Sequence, residues 1–234
     1  GMMHLDSWEW QMDIANSMPG APDYRIADKF FAERFDQPPW MLTYKRQQRD
    51  GPFWDRTALK TRYDAIKIPT FVIGGWYDGY RDSVPRMLQH MSAPVKAIVG
   101  AWNHTFPHRP YPKPGIEWRR EAVRWFDQWL KGRNTGIMDE PRFAVYARQW
   151  HPPGPYLEEA PGAWRYEDGW PIARIKEQPF YPRPDHALAD GPAGEGTHLL
   201  KYVPTTGIEA GGPVMWFGDV AHDQRPTDAF SLVY

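Results

Sequence analysis

An aspartate and a histidine, each just after a short apolar run, are the residues of this sequence best placed to do chemistry. Asp78 lies in the segment GGWYDG, and His104 lies in the segment AWNH. A carboxylate that hydrogen-bonds one imidazole nitrogen orients the ring, and the other nitrogen can then exchange a proton with a reacting group. A plain alternative stays open for each residue: Asp78 as a turn aspartate, and His104 as a loop histidine bonded to backbone.

The elements that must position this pair are two predicted strands and the helix between them. Residues 70–73 and 95–99 are short, mainly apolar runs, which are typical of strands covered on both faces. Residues 82–91 carry a helical pattern, with Asp82 as the expected N-cap. Strand, helix and strand together predict a βαβ unit, and such units bind ligands beyond the carboxyl ends of their strands. The aspartate and the histidine follow those two ends.

Helices are predicted before this unit and short strands after it. One helix is expected to begin at Asp6, a second to cover residues 27–35, and an amphipathic one with a buried apolar face to cover residues 118–130. After residue 134 come short β-like runs between Pro and Gly clusters, which indicate an antiparallel sandwich or jelly roll. The expected strand segments are PRFAVYAR, WRYED, IKEQPFYP, THLLKYVP, VMWFGD and FSLVY. A domain boundary is therefore predicted near residue 135.

Composition argues against several classes of function. The chain of 234 residues is 41% hydrophobic, enough for a core, and its net charge of −1 gives no electrostatic case for nucleic acid as a partner. It contains no cysteine, so disulfides and thiolate sites are excluded. Neither a signal peptide nor an apolar run of about 20 residues is seen, so no membrane partner is expected and a cytoplasmic location is favoured.

A histidine pair is the one arrangement that could suggest a metal. His104 and His108 are four residues apart, a spacing that metal-binding histidines use on a helix. Pro107 and Pro110 argue against a helix at this point of the chain. No metal and no other cofactor are predicted.

GGWYDG, AWNH and the helical segment WRREAVRWFDQWLKG occur in an order that resembles one family of proteins. This is the family of X-Pro dipeptidyl-peptidases, cocaine esterase and α-amino-acid ester hydrolases, and the resemblance continues through WRYEDGWP and DQRPTDAFSLVY. It implies an α/β plus β architecture in three parts. These are a helical cap remnant over residues 1–64, the C-terminal part of an α/β-hydrolase domain over 65–134, and a partial jelly-roll β domain over 135–234.

The resemblance also implies a Ser-His-Asp triad, in which Asp78 matches the acid and His104 the base. No serine lies in the G-x-S-x-G segment that would carry the nucleophile. The serines of the chain are Ser7, Ser17, Ser83, Ser92 and Ser231. The chain is therefore expected to be a fragment of a serine hydrolase, of acyl esterase or X-Pro dipeptidyl-peptidase type, and to be inactive alone. Its family substrate would be a small ester or peptide.

Three aromatic residues flank the two triad positions, namely Trp76, Tyr77 and Trp102. They could line a substrate pocket or simply seal the edge of the sheet, and the sequence favours neither. A competing hypothesis for the whole chain is a non-catalytic binding or assembly module, built on the jelly roll, for carbohydrate or a protein partner. Exposed strand edges further predict a homo-oligomer.

Overall fold

The computed structural model describes residues 40–56, 58–154, 156–192, 194–207 and 223–234. The chain divides into two compact units, Gly1–Arg62 and Tyr63–Tyr234. In the first unit, helices α1 (Trp40–Arg46) and α2 (Pro52–Asp55) are described. The helices expected from Asp6 and over residues 27–35 lie outside the described residues, as does the expected strand segment VMWFGD.

The second unit is built on a mixed four-stranded sheet with helices. Its strands are β1 (Thr70–Gly75), β2 (Val95–Gly100), β3 (Phe143–Arg148) and β4 (Gly162–Glu167), hydrogen-bonded in that order. The first three strands run parallel, and β4 is antiparallel to β3. A short 3₁₀ helix (Tyr63–Ala65) precedes the sheet. The predicted combination of helices with a sheet is thereby confirmed.

The predicted βαβ unit consists of β1, helix α3 (Ser83–His90) and β2. Both strands run past their apolar sequences and end in glycine, at Gly75 and Gly100. Every residue of β2 is buried, whereas β1 is mostly half-buried. The expectation of a strand covered on both faces is correct for β2 and wrong for β1, because β1 is the edge strand of the described sheet.

Helix α3 covers one face of this sheet with its apolar side. Val84 and Leu88 are buried and join a core cluster with Met91, Val95 and Phe143. The expected capping by Asp82 is wrong, since its side chain makes no cap hydrogen bond to the helix. The Asp82 backbone is already helical, at φ −68° and ψ −19°, and an N-cap side chain needs an extended backbone to reach the first N–H groups.

The amphipathic helix α4 (Trp118–Leu130) has the predicted bounds. Trp125 is buried, and its ring lies 5.5 Å from that of Phe71 on β1. The rest of the expected inward face is only partly covered in the described part of the chain: Phe126 and Leu130 are 54% and 77% exposed. The helix is followed by Gly132, which has a φ of 63°, and a left-handed glycine of this kind is a common end of a helix. None of the described helices is long and apolar enough to cross a membrane.

The expected jelly roll is not confirmed. PRFAVYAR and WRYED form β3 and β4, and because β3 pairs with β2, the sheet crosses the position near residue 135 where a boundary was expected. IKEQPFYP contributes only the short strand β5 (Tyr181–Pro182), paired with β6 (Leu188–Ala189). THLLKYVP and FSLVY contain no strand, and a short helix α5 (Arg225–Asp228) precedes the latter. Most of their apolar side chains are exposed, including Leu199 at 91%, and no described strand includes them.

Candidate active site

Two glycines at the carboxyl ends of β1 and β2 let the loops that follow approach each other closely. A Cβ atom on Gly75 would lie 2.0 Å from the Trp102 carbonyl oxygen, and one on Gly100 would lie 1.9 Å from the Trp102 ring. Trp102 is only 1% exposed and fills the space between the strand ends. Two backbone bonds join the loops: the Trp76 amide donates to Gly100 O at 2.9 Å, and the Tyr77 amide donates to Trp102 O at 3.1 Å.

This local fit brings Asp78 and His104 into direct contact. The His104 Nδ1 and Asp78 Oδ2 atoms are 2.9 Å apart. Because a carboxylate can only accept, Nδ1 carries the shared proton, and Nε2 is the nitrogen on which a proton can be gained or lost. The Asp78 side chain is 14% exposed and the His104 side chain 42% exposed. The pair is thus partly shielded at its acid and open to solvent at its histidine.

The interpretation of Asp78 as a turn residue is correct, because its carboxylate also accepts a hydrogen bond from the backbone of the turn. Its Oδ1 atom accepts the Tyr80 backbone N–H at 2.8 Å, while its own amide donates to Gly75 O at 3.1 Å. One oxygen therefore closes the turn and the other orients the imidazole. The two hydrogen bonds together restrict the orientation of the carboxylate, and a group that orients an imidazole needs such a fixed position.

The pair opens onto a cavity of about 510 Å³ with mainly apolar walls. The described residues that line it are Ile73, Gly74, Asp78, Trp102, His104, Thr105, Phe106, Pro107 and Trp118. Of the three flanking aromatic residues, only Trp102 is among them. Trp76 and Tyr77 line a different cavity, and the Trp76 indole N–H donates to the Tyr146 carbonyl at 2.7 Å. The structure therefore separates Trp76 and Tyr77 from the cavity that Asp78 and His104 line.

No serine lines this cavity in the part of the chain that the structure describes. Ser83 begins helix α3, and Ser231 donates its hydroxyl to the Thr227 carbonyl at 3.2 Å. Thr105 is the one hydroxyl residue among the described lining residues, but its Oγ1 atom is enclosed. An enclosed hydroxyl cannot reach a substrate carbonyl. Ser7 and Ser17 lie outside the described residues.

His108 has a structural partner that the sequence did not suggest. Its Nδ1 atom lies 3.0 Å from the indole nitrogen of Trp118, which donates the hydrogen bond. Trp118 also stacks on Phe106, with 6.0 Å between ring centroids. Within the described ranges, no group of three or more His, Asp or Glu residues could hold a metal ion. Phe106 and Trp118 are cavity residues that sequence reasoning missed, because their contact depends on a loop of irregular backbone.

Comparison with known proteins places this pair in a family context. Residues 5–106 match the model of a family described as X-Pro dipeptidyl-peptidase (S15 family), and both Asp78 and His104 fall inside the match. Over these residues the chain is similar to the X-Pro dipeptidyl-peptidase family. The resemblance inferred from GGWYDG and AWNH is thereby confirmed.

Individual relatives match the chain over only part of their own length. The chain is 27% identical over 179 residues to proteins named "Putative serine esterase" in Mycobacterium bovis and Mycobacterium tuberculosis. The match takes in 68% of this chain and 26% of each relative, so the chain spans about a quarter of their length. A solved structure of a CocE/NonD family hydrolase from Staphylococcus aureus is 18% identical. The match covers 74% of this chain and 30% of the Staphylococcus aureus chain, with a TM-score of 0.47.

Proposed function

We propose that this chain supplies the acid and the base of a Ser-His-Asp triad in a serine hydrolase with an α/β-hydrolase fold. The observation that carries the proposal is the 2.9 Å bond between His104 Nδ1 and Asp78 Oδ2. Its position adds support, because the two residues follow adjacent parallel strands at their carboxyl ends, where ligands of such sheets bind. The chain order of acid before histidine is also that of α/β-hydrolases.

The roles of the two residues follow from this geometry. Asp78 holds the imidazole in the tautomer with the proton on Nδ1, which leaves Nε2 to take a proton from a serine hydroxyl as it attacks a carbonyl carbon. His104 then returns that proton to the leaving group, and the Asp78 carboxylate stabilises the imidazolium in between. The apolar walls of the adjoining cavity, including Trp102 and Phe106, suit the acyl part of a small ester or peptide.

The nucleophile of this proposal is not among the five serines of the chain, since none lies in a G-x-S-x-G segment. We therefore expect the 234-residue chain alone to be inactive in acyl transfer. A serine that completes the site would come from sequence outside these residues, on the same or another polypeptide. The amides of the oxyanion hole, which α/β-hydrolases place beside the nucleophile, would come with it.

The test of this function is hydrolysis by a longer polypeptide that includes the coding sequence preceding residue 1. We expect that sequence to contain G-x-S-x-G, and the product to hydrolyse 4-nitrophenyl acetate or glycyl-prolyl-4-nitroanilide, which separates esterase from X-Pro peptidase activity. Asp78→Asn should lower kcat by about 10⁴-fold, because the wrong tautomer faces the serine. The matched control is Asp82→Asn, an exposed aspartate that makes no cap bond. Equal activity of both variants would contradict the proposal.

A second experiment uses the chain as it stands. A fluorophosphonate probe, which reacts with activated serines, should leave the isolated chain unlabelled. Labelling of any of its five serines, abolished by His104→Ala, would show that a nucleophile is present after all and would overturn the expected inactivity.

A further inference from the structure

A second cavity lies at the same end of the sheet as the acid–base pair. Its volume is about 520 Å³, and the described residues that line it are Trp76, Tyr77, Arg81, Tyr146, Ala147 and Arg148. Trp76 and Tyr77 directly follow β1, and Arg148 is the last residue of β3, which runs parallel to β1 through β2. The cavity is therefore at the carboxyl edge of the sheet, where parallel sheets bind their ligands.

The charge of this cavity is all of one sign. Two guanidinium groups line it, those of Arg81 and Arg148, and none of its described lining residues is acidic. Neither arginine is neutralised by a close carboxylate in the described part of the chain. Arg81 has only a long contact of 4.0 Å to the neighbouring Asp82 and a 3.4 Å bond to the Trp76 carbonyl. Apart from the Arg81 bond to the Trp76 carbonyl, their donors therefore remain available to a ligand.

Among the described residues, Arg148 is held by a ring contact rather than by hydrogen bonds from its guanidinium. Its guanidinium lies over the ring of Tyr77, with 4.4 Å from Cζ to the ring centroid. A cation–π contact does not occupy the N–H donors of the guanidinium in hydrogen bonds, so these donors can still bond to a ligand. Two further lining residues are joined by a hydrogen bond, because the Trp76 indole donates to Tyr146 O at 2.7 Å. The site is thus preorganised before a ligand arrives, which lowers the entropic cost of binding.

We propose that this cavity is an anion-binding site for a small molecule that carries a carboxylate or phosphate group. The planar fork of arginine donors matches both groups bidentately, and the aromatic lining residues Tyr77, Tyr146 and Trp76 suit an apolar body attached to the anion. The ordinary alternative is an exposed arginine that rests on a tyrosine and binds nothing. The two differ in whether anions bind here more tightly than at other surface arginines.

The experiment titrates the full chain with sodium acetate and, separately, with inorganic phosphate, at constant ionic strength. The readout is the chemical shift of the Trp76 indole N–H, which lies in the cavity wall. Acetamide, an uncharged molecule of the same shape as acetate, serves as the ligand control. We expect saturable shifts with dissociation constants of about millimolar order for either or both anions, and none with acetamide. The acetate and phosphate arms show which oxyanion the site prefers.

Variants locate the binding. Arg148→Gln and Arg81→Gln should each weaken anion binding by about tenfold, the effect of removing a charged hydrogen-bond partner. Arg148→Lys keeps the charge but loses the fork, so it should bind more weakly than the wild type. The matched control is Arg86→Gln, which removes one exposed charge from helix α3 outside the cavity and should leave binding unchanged.

Two outcomes would overturn the inference: no saturable shift with either anion, or an equal loss of binding in the Arg86→Gln and Arg148→Gln variants. The second outcome would mean a general effect of charge. Because the experiment measures binding without turnover, its result is independent of whether the chain takes part in hydrolysis. The variants' own 1H–15N spectra show whether the fold is retained, and Arg81→Gln repeats the test from a second residue.

Discussion

At the scale of single residues, Asp78 performs two tasks with two oxygens. Oδ1 closes a turn with the Tyr80 amide, and Oδ2 binds His104. A substitution by asparagine separates these tasks, since the amide oxygen can keep the turn while the amide NH₂ takes the place of Oδ2. An NH₂ group donates, so it forces Nδ1 of the imidazole to become an acceptor.

Asp78→Asn should therefore move the proton of neutral His104 from Nδ1 to Nε2. The measurement is the pair of imidazole ¹⁵N shifts in a histidine-labelled sample at a pH where the ring is neutral. We expect the protonated and unprotonated shifts to exchange places between Nδ1 and Nε2, with the backbone spectrum preserved. Asp82→Asn is the control and should leave the imidazole shifts as in the wild type. An unchanged tautomer in Asp78→Asn would show that Asp78 does not orient the ring.

Gly100 gives a second prediction at this scale. A Cβ atom here would lie 1.9 Å from the Trp102 ring, and the ring cannot retreat because Trp102 is 1% exposed. Gly100→Ala should lower the free energy of unfolding by about 1–3 kcal/mol, as expected for overpacking. Urea denaturation measures this, with Gly194→Ala as the control, since a Cβ atom there meets nothing within 4 Å. An equal, small effect in both variants would contradict the tight fit at the strand ends.

At the scale of elements, local sequence patterns predicted where strands and helices form better than they predicted which strands pair. Short, mainly apolar runs sufficed to predict β1 and β2, and helical periodicity predicted residues 118–130. The contact of Asp78 with His104 was also foreseeable, because both follow the carboxyl ends of neighbouring strands. The addition of Phe143–Arg148 to the same sheet was not, because an apolar run does not state which strand it pairs with. The predicted jelly roll is not confirmed, since two of its expected strands pair into this sheet.

A buried lysine on β2 links this strand to the turn before β3 and, through that turn, to helix α4. The side chain of Lys96 is 8% exposed, and its Nζ lies 2.7 Å from Glu140 Oε2 and 2.9 Å from the Ile137 carbonyl. Glu140 also binds Arg124 of helix α4. Burial raises the pKa of Glu140, but the hydrogen bonds from Arg124 and Lys96 outweigh it, so the pKa falls below its ordinary value of 4.5.

Glu140→Gln should therefore destabilise the protein at neutral pH. The lowered pKa means that the wild-type carboxylate contributes stability above about pH 4.5, which is lost as the pH falls through the folded-state pKa. Because Glu140 is 42% exposed, we expect a loss of only about 1–2 kcal/mol at pH 7 that shrinks toward acid pH. Urea denaturation of the wild type and the variant, at pH 7 and at acid pH, measures this loss of stability. Glu158→Gln, which breaks an exposed pair with Lys113, should change little; equal effects would contradict the role of Lys96.

At the scale of the whole molecule, the described sheet leaves one side of β1 without a partner strand. The backbone N–H groups of Thr70 and Trp76 point to β2, since they donate to Pro94 O and Gly100 O, both at 2.9 Å. The backbone N–H groups of successive residues point to alternate sides of a strand. The N–H groups of Phe71, Ile73 and Gly75 therefore point away from β2. An unpaired edge of this kind is a template for another chain, which supports the expected self-association.

Hydrogen exchange can test this prediction at the level of individual amides. At low micromolar concentration, the amides of Val72 and Gly74, which face β2, should exchange slowly and serve as internal controls. The amides of Phe71 and Ile73 should exchange faster and become protected as concentration rises, in step with a mass above 27.3 kDa in multi-angle light scattering. The coupling is expected because pairing of two edges satisfies these N–H groups only in the associated state. A constant monomer mass, or association without any change in protection at Phe71 and Ile73, would contradict assembly through this edge.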